Sequence, residues 1–302
     1  MAEDTKVRWK MFTVISGRRL LPLLLASARL AGREAPAVRT DPEHLVNGSA
    51  FLVRVTETHP WRLLDGTFDG RPVFFERDAT GTWIGLGGVD FEAAAGPHDL
   101  VLAAVAASGP GEKHVVSIPI ERVERPKSEL SVPRRYVEPN ARTRARIARE
   151  RAIKAAALGV VTPRRLFRGR FTAPVALGTS EEYGVERVFN GKRQSVHLGL
   201  DYHAPSGTPV HAVNSGRVVL ARDLFYEGRC VGIDHGRGLV TLYLHLSRLD
   251  VKEGARVVKG QRLGLSGSSG RATGPHLHLA VRWQGIYLDP ISVLALDVPA
   301  TD

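Results

Sequence analysis

From Phe171 onward, closely spaced glycines and other turn residues confine the chain to short extended segments joined by tight turns. Short β-branched or alternating runs lie between these turns, and no segment of useful length has helical periodicity before residues 291–296. The runs are residues 209–219, 231–234, 239–245, 257–265 and 276–283. This pattern predicts an antiparallel, all-β domain over residues 171–297.

The segment from residue 42 to residue 124 predicts a second, smaller β domain. Phe51, Val53 and Val55 alternate with other residues, and Asp-Gly and Gly-Gly turns separate the short runs that follow. Those runs lie near residues 72–75, 82–86, 100–106 and 115–123. Short strands at this spacing are typical of a small N-terminal β-sandwich of the immunoglobulin-like kind. The chain as a whole is therefore predicted to be mainly β.

Residues 125–170 form a basic connector that accounts for the whole charge imbalance of the chain. The net charge is +11, and the connector holds 14 basic residues against three acidic ones. Asn140 is a good N-cap, Ala141–Leu158 is rich in alanine and arginine, and Gly159 supplies a stop. Larger apolar residues are sparse in this helix, so we expect a solvated strut between the two β domains.

Composition excludes several classes of protein. An apolar content of 43% and a charged content of 24% are typical of a globular chain and exclude wholesale disorder. The chain has no apolar run of about 18 residues, which excludes a bundle of membrane-spanning helices. The single cysteine, Cys230, excludes a disulfide framework and a thiolate-rich zinc finger, so core packing is its expected role.

Residues 1–35 predict an export signal. Basic residues precede the apolar run of residues 20–26, and Ala26-Ser27-Ala28 offers a cleavage site of the A-x-A kind. Arg18-Arg19, followed by two leucines, faintly resembles a twin-arginine signal. The alternatives are a disordered basic leader or a misassigned start upstream of Met11.

Seven of the eleven histidines lie between residues 197 and 278. In an extended strand, His197 and Asp201 point to the same face, but they lie about 13 Å apart if the strand is straight. Sharing one metal ion therefore requires a bend, which is easiest at Gly199. Imidazole and carboxylate are both ligands that zinc accepts. A histidine and an aspartate four residues apart are nevertheless common by chance.

Two further pieces of the same region strengthen this interpretation. His276 and His278 share one face of a predicted strand, about 7 Å apart, which suits one metal ligand and one catalytic neighbour. His245 lies in another predicted strand, with leucines on the opposite face. Each ring alone is equally well explained as a satisfied, partly buried histidine. The three pieces together favour a metal site.

Motifs at fixed spacing connect these pieces. They are His197-x-Gly199-x-Asp201, Ser206-Gly207-Thr208-Pro209-Val210-x-Ala212, Gly216-x-Val218, Asp234-His235-Gly236-x-Gly238, Tyr243-x-His245-Leu246, Val251-x-x-Gly254-x-x-Val257-x-x-Gly260-Gln261 and Gly274-Pro275-His276-Leu277-His278. Residues 171–296 thereby resemble the lysostaphin/LytM-type zinc metallopeptidases, which cut peptidoglycan cross-bridges. The upstream sandwich and helix resemble the N-terminal regions of longer envelope members of that family.

The resemblance implies a role for each residue of the site. His197, Asp201 and His278 would hold one zinc ion per chain and leave a fourth position for a water molecule, whose pKa falls to about 7. His245 and His276 would flank that water as catalytic residues. One would accept its proton, and the other would support the oxyanion and protonate the leaving amine.

The resemblance also implies a function: D,D-endopeptidase hydrolysis of stem-peptide cross-links, in the periplasm or cell envelope. The alternative is a regulatory or wall-binding module of the same fold that has lost catalysis, but here all five histidine and aspartate positions are filled. Asn190 is expected to line the substrate groove, and residues 179–184 stand where relatives carry a shorter hydrophobic turn. His203 and His211 are expected to be bystanders.

Two further expectations concern partners. The basic connector, residues 125–170, would bind anionic envelope polymers. Nucleic acid is not expected, because the connector offers only Tyr136 and Phe167 as aromatics and has no base-reading motif. The N-terminal domain or the connector would cover the groove, giving a latent form by intramolecular inhibition.

Overall fold

The structure is a computed structural model that describes residues 35–58, 60–108 and 111–299, with the backbone alone for residues 193 and 194. The predicted export signal lies outside the described residues. Among the residues that are described, no helix is both long and apolar enough to cross a membrane. From Ala35 onward the chain forms one compact unit in which strands dominate, and the prediction of a mainly β protein is confirmed.

The N-terminal part is a single curved sheet of eight strands. Along the sheet their order is β1-β3-β6-β5-β4-β7-β8-β2, with only the short β2–β8 pairing parallel. Phe51 packs edge-on against Phe68 at 5.1 Å between ring centroids, which brings the β3 and β4 regions face to face over a core containing Leu64, Leu100 and Leu102. The immunoglobulin-like assignment stays a prediction. The strands are β1 (Ala37–Asp41), β2 (Leu45–Val46), β3 (Ala50–Thr56), β4 (Trp61–Phe68), β5 (Arg71–Arg77), β6 (Trp83–Gly88), β7 (Gly96–Ala106) and β8 (Gly111–Glu121).

The connector contains the predicted helix with the predicted bounds. It comprises β9 (Lys127–Leu130), a 3₁₀ turn (Arg134–Tyr136), α1 (Ala141–Leu158) and β10 (Gly169–Arg170). The Asn140 side chain accepts a hydrogen bond from the Thr143 N–H at 2.9 Å, as an N-cap does. The expectation of a solvated strut is wrong for one face of α1, because Leu158 packs with Leu220, Leu224 and Cys230 of the following domain.

The C-terminal part is built around a second, antiparallel sheet of eight strands. Its path is β11-β14-β22-β18-β17-β16-β20, and β23 pairs with β22. Smaller sheets flank it, including one in which β9 of the connector joins β12 and β13. The elements are β11 (Thr179–Glu181), β12 (Glu186–Phe189), β13 (Arg193–Val196), β14 (Leu200–Tyr202), β15 (Pro209–His211), β16 (Gly216–Leu224), β17 (Gly228–Gly236), β18 (Leu239–Leu246), β19 (Arg248–Leu249), β20 (Arg256–Val257), β21 (Arg262–Leu265), β22 (Leu277–Trp283), β23 (Ile286–Leu288), α2 (Pro290–Ala295) and β24 (Asp297–Val298).

The first sheet docks directly on this second part. Gly88 of β6 lies so close to Trp283 and Leu288 that a Cβ there would come within 2.9 Å of both side chains. The Ala50 N–H donates to the Ser292 hydroxyl at 2.9 Å, and Arg237 forms an ion pair with Glu76 at 2.6 Å. The two sheets are therefore in direct contact as well as linked by the connector.

Candidate metal centre and active-site groove

The metal-site candidates meet because two neighbouring strands place them opposite each other. Asp201 of β14 and His278 of β22 are direct partners in the antiparallel register. Side chains of directly opposite residues lie on the same face of a sheet, about 5 Å apart at Cβ. His197 lies in the loop before β14, and the chain bends at Gly199, as the sequence required. This bend turns the ring of His197 back toward the other two side chains.

Three donor atoms converge on one point. The His197 Nε2 lies 3.1 Å from the Asp201 Oδ1 and 3.0 Å from the His278 Nδ1, and the last two atoms are 2.8 Å apart. Donors around a tetrahedral zinc ion with bonds of 2.0–2.1 Å are about 3.3 Å apart, so this set fits the predicted cofactor. These residues could therefore hold a metal ion.

The orientation of the His197 ring is fixed from behind. Its Nδ1–H donates to the Glu182 carbonyl oxygen at 2.7 Å, which leaves Nε2 without a proton in the neutral ring. The ring is 2% exposed, so this arrangement is shielded from water. Hydrogen bonding at one ring nitrogen is how a metal-binding histidine selects its tautomer.

Asp201 is held by a basic residue that sequence reasoning missed. Its Oδ1 faces the donor cluster, while Oδ2 accepts a hydrogen bond from Arg187 at 2.6 Å. Arg187 is bound in turn by Glu181, which also lies 3.3 Å from the His197 Nδ1. Burial raises the pKa of Asp201, but the His197 and His278 rings outweigh it and hold that pKa well below its usual range. Asp201 is thus an ionised carboxylate with one oxygen committed to the cluster.

No spacing in the sequence pointed to Arg187 or Glu181, since both precede the histidine motif. Glu181 does fall in the segment 179–184 that departs from the family pattern. Strand β11 pairs with β14 so that Glu181 lies opposite Asp201, and this register brings Glu181 to the site.

His245 and His276 stand beside the donor cluster. Their ring centroids are 4.8 Å apart, and that of His245 is 6.1 Å from that of His278. The Nδ1–H of His245 donates to the Ser269 carbonyl at 2.8 Å, and that of His276 donates to the Gly274 carbonyl at 2.8 Å. The Nε2 of His276 lies 3.8 Å from the Asp201 Oδ1. In both rings the Nε2 is therefore the nitrogen that can accept or donate a proton in the groove.

Burial shapes the acid–base properties of two of these rings. Burial, with the nearby His276 and His278 rings, lowers the pKa of His245 to about 3. Burial lowers the pKa of His278 to about 4, although Asp201 opposes the shift. Both rings are consequently neutral near pH 7, the form in which imidazole accepts a proton or binds a metal.

The cluster opens into a groove of about 480 Å³, and the connector, which was expected to cover the groove, supplies part of its wall. Leu130, Val132 and Lys154 of the connector line it, together with the turn residues Tyr226 and Glu227. None of the described residues of the first sheet lines it. The predicted inhibition by the N-terminal domain thus has no contact in the described part of the groove and stays a prediction.

Asn190 is bound to the connector. Its side-chain oxygen accepts from the Val132 N–H at 2.9 Å, and its side-chain nitrogen donates to the Val132 carbonyl at 2.8 Å. Asn190 thus attaches the connector to the β12–β13 turn, and its place in the substrate groove stays a prediction. His203 lines the groove but lies outside the donor cluster.

Comparison with known proteins agrees with this geometry. Residues 195–290 match the sequence profile of peptidase family M23. The catalytic domain of lysostaphin from Staphylococcus simulans is 33% identical over 40% of this chain and 93% of its own length, with a TM-score of 0.37. This chain belongs to peptidase family M23. The family expected from the motifs is thereby confirmed.

Two further proteins are similar to this chain over different shares of its length. The peptidoglycan DD-endopeptidase ShyA of Vibrio cholerae is 44% identical over 108 residues, which are 36% of this chain. Those residues are 24% of ShyA, so this M23 chain spans about a quarter of that relative. A crystal structure from Pseudomonas aeruginosa, named as an M23 peptidase, is 29% identical with a TM-score of 0.63. That likeness covers 82% of this chain and 94% of the other, so it extends well beyond the peptidase domain.

Proposed function

We propose that this M23 chain is a zinc-dependent endopeptidase that hydrolyses peptide cross-links of bacterial peptidoglycan, as a D,D-endopeptidase. The observation that carries the proposal is the convergence of three donor atoms in a groove faced by two further imidazoles. The substrate class comes from the relative ShyA, which is a peptidoglycan DD-endopeptidase. An envelope location would follow from such a substrate.

In this proposal His197, Asp201 and His278 hold the zinc ion. Bound zinc supplies Lewis acidity, which polarises a carbonyl group and makes water a better acid. Arg187 keeps one oxygen of Asp201 turned toward the cluster by binding the other one. Such outer partners orient ligands and support metal affinity.

His245 is the better candidate for the general base. Its Nδ1–H is committed to the Ser269 carbonyl, which leaves Nε2 without a proton in the neutral ring. We assign His276 to the opposite task, support of the oxyanion and protonation of the leaving amine. Its ring is less buried, and its Nε2 faces the same groove.

The test uses the full-length protein loaded with zinc and dimeric muropeptides of defined cross-link. Mass spectrometry of the products identifies the bond that is cut. We expect cleavage at the D,D cross-link, its loss on chelation, and loss in His245→Ala with the zinc content unchanged. A wild-type protein that releases no monomer from any cross-linked substrate refutes the function. Undiminished cleavage by His245→Ala refutes only the role of that residue.

We further propose that the outer face of α1 binds anionic envelope polymers. Arg142 and Arg149 are exposed on this face, about two helical turns apart, and Arg144 and Arg151 are exposed on another side of α1. Some other connector charges are already paired, as in the Arg146–Glu150 and Lys154–Glu227 ion pairs. The four exposed arginines therefore supply positive charge that attracts a polyanion.

A further inference from the structure

We propose that the connector completes the active site, with Glu150 and Lys154 of α1 acting as positioning residues for His245. The inference rests on the proposed peptidase function. It assigns to α1 a role that the M23 match, which begins at residue 195, does not include. Three consecutive contacts connect the imidazole of His245 to α1.

The first contact concerns the backbone of His245 itself. His245 has a φ of 65°, a left-handed conformation that is unfavourable for a residue with a side chain. Its N–H donates to the Glu227 carbonyl at 3.0 Å, and its ring donates to the Ser269 carbonyl at 2.8 Å. These two carbonyls hold the ring in its place beside the metal cluster.

The second contact joins these carbonyls into one body. Glu227 belongs to the turn between β16 and β17, which ends at Gly228. Gly228 lies against Ser269 so closely that a Cβ there would come within 2.4 Å of the Ser269 backbone. The Ser269 hydroxyl also accepts from the Arg229 N–H at 2.9 Å. A shift of the turn would therefore move both acceptors of His245.

The third contact is the clamp of α1 on this turn. The Glu150 carboxylate accepts from the Phe225 N–H at 2.8 Å, and the Lys154 ammonium forms an ion pair with Glu227. The Lys154 and Glu227 side chains are 29% and 15% exposed, so water screens their attraction only in part. Burial lowers the pKa of Lys154, but the nearby Glu227 raises that pKa by more, so the Lys154 ammonium keeps its charge. The 3₁₀ turn adds Tyr136, whose ring centroid lies 5.1 Å from that of Phe225.

Loosening the clamp would let His245 leave its strained conformation while the rest of the groove still binds substrate. The experiment compares full-length wild type with the double variant Glu150→Gln, Lys154→Met. We expect kcat on dimeric muropeptides to fall at least about tenfold, since a positioned base contributes about 10²–10⁴ in rate. KM and zinc content stay within about twofold. Hydrogen exchange at residues 225–228 and 243–247 becomes faster.

Two further variants separate positioning from other effects. Lys252→Met removes an exposed lysine from the loop before β20 and should leave kcat and exchange unchanged. Exchanging the charges, Lys154→Glu with Glu227→Lys, rebuilds the ion pair and should restore kcat above that of either single exchange. A rise in KM with unchanged kcat would overturn the proposal in favour of a substrate contact by Lys154. A rise in kcat would overturn it in favour of inhibition by the connector.

The outcome remains distinguishable if the function itself is wrong. A wild-type protein without peptidase activity refutes the proposed function, while hydrogen exchange still tests the clamp. Unchanged exchange at residues 243–247 in the double variant would then overturn the inference by itself.

Discussion

Replacing Gly199 with alanine should damage the metal site with little change elsewhere. A Cβ at this position would lie 2.4 Å from the Cε1 and Nε2 of His278, and 2.7 Å from the Leu279 carbonyl oxygen. Carbon atoms in contact stay about 3.5–4.0 Å apart, so the ring must move by about 1 Å. The carbonyl belongs to the central strand β22 and has little freedom to yield.

A movement of about 1 Å is large for a metal ligand, because metal–ligand distances hold to about ±0.2 Å. We therefore expect the zinc affinity of Gly199→Ala to fall at least about tenfold, the lower end of the loss seen when outer-shell partners are removed. Overpacking adds a destabilisation of about 1–3 kcal/mol. Competition with a chromophoric chelator measures the affinity, and denaturant unfolding of the metal-free protein measures the stability.

The matched control is Gly178→Ala. Gly178 has open space around its would-be Cβ and no positive φ, so alanine there should leave both quantities unchanged. Equal zinc affinity for Gly199→Ala, Gly178→Ala and wild type would refute the claim that Gly199 makes room for the His278 ring.

Arg187, His235 and the exposed arginines of α1 can each be tested by substitution. Arg187→Met should lower zinc affinity about 10- to 100-fold, because it frees the second oxygen of Asp201; chelator competition measures it. Burial lowers the pKa of His235 to about 4 from 6.5, so below pH 6.5 the unfolded chain binds the proton more readily than the folded one. Wild type should therefore lose up to about 3 kcal/mol more stability than His235→Gln between pH 7 and pH 4, in urea unfolding. Arg142→Gln with Arg149→Gln should weaken retention on purified wall polymer and flatten its salt dependence, in co-sedimentation.

Each of these has its own control and its own contrary result. Arg222→Met removes an exposed arginine paired with Glu253 and should not change zinc affinity, so an equal loss in both variants contradicts the role of Arg187. Parallel pH profiles for wild type and His235→Gln contradict the buried-histidine argument. Tighter binding of the wild type to DNA than to wall polymer contradicts the choice of partner.

Secondary structure and metal ligands could be predicted from the sequence where the signal residues lie close together in the chain. Turn residues predicted the strands, and Asn140 and Gly159 predicted the bounds of α1. The histidine motifs named the three residues whose donor atoms converge, because a strand alternates its faces and Gly199 permits the bend. In these cases the physical cause lies within a few residues of the signal.

The parts that could not be predicted depend on contacts between distant segments. Glu150 and Lys154 were expected to be solvated residues of α1. Their partners, Phe225 and Glu227, lie more than 70 residues further along the chain, so these contacts are visible only in the folded structure. Arg187 precedes the motif and becomes part of the site only when Asp201 is in place. The pairing of the Asn190 amide with the backbone of Val132, 58 residues away in the chain, could not be predicted either.

The direct pairing of β14 with β22 also governs when the metal site can exist. Asp201 and His278 are 77 residues apart in the chain, and a slip of one residue in their pairing would send one side chain to the opposite face. An unfolded or misregistered chain therefore lacks this three-residue site, so zinc would bind the finished sheet more tightly than the unfolded chain. Free zinc at 100 times the Kd would add about 2.7 kcal/mol to the stability of the folded state. Zinc scarcity would thus lower the free energy of unfolding as well as the proposed activity.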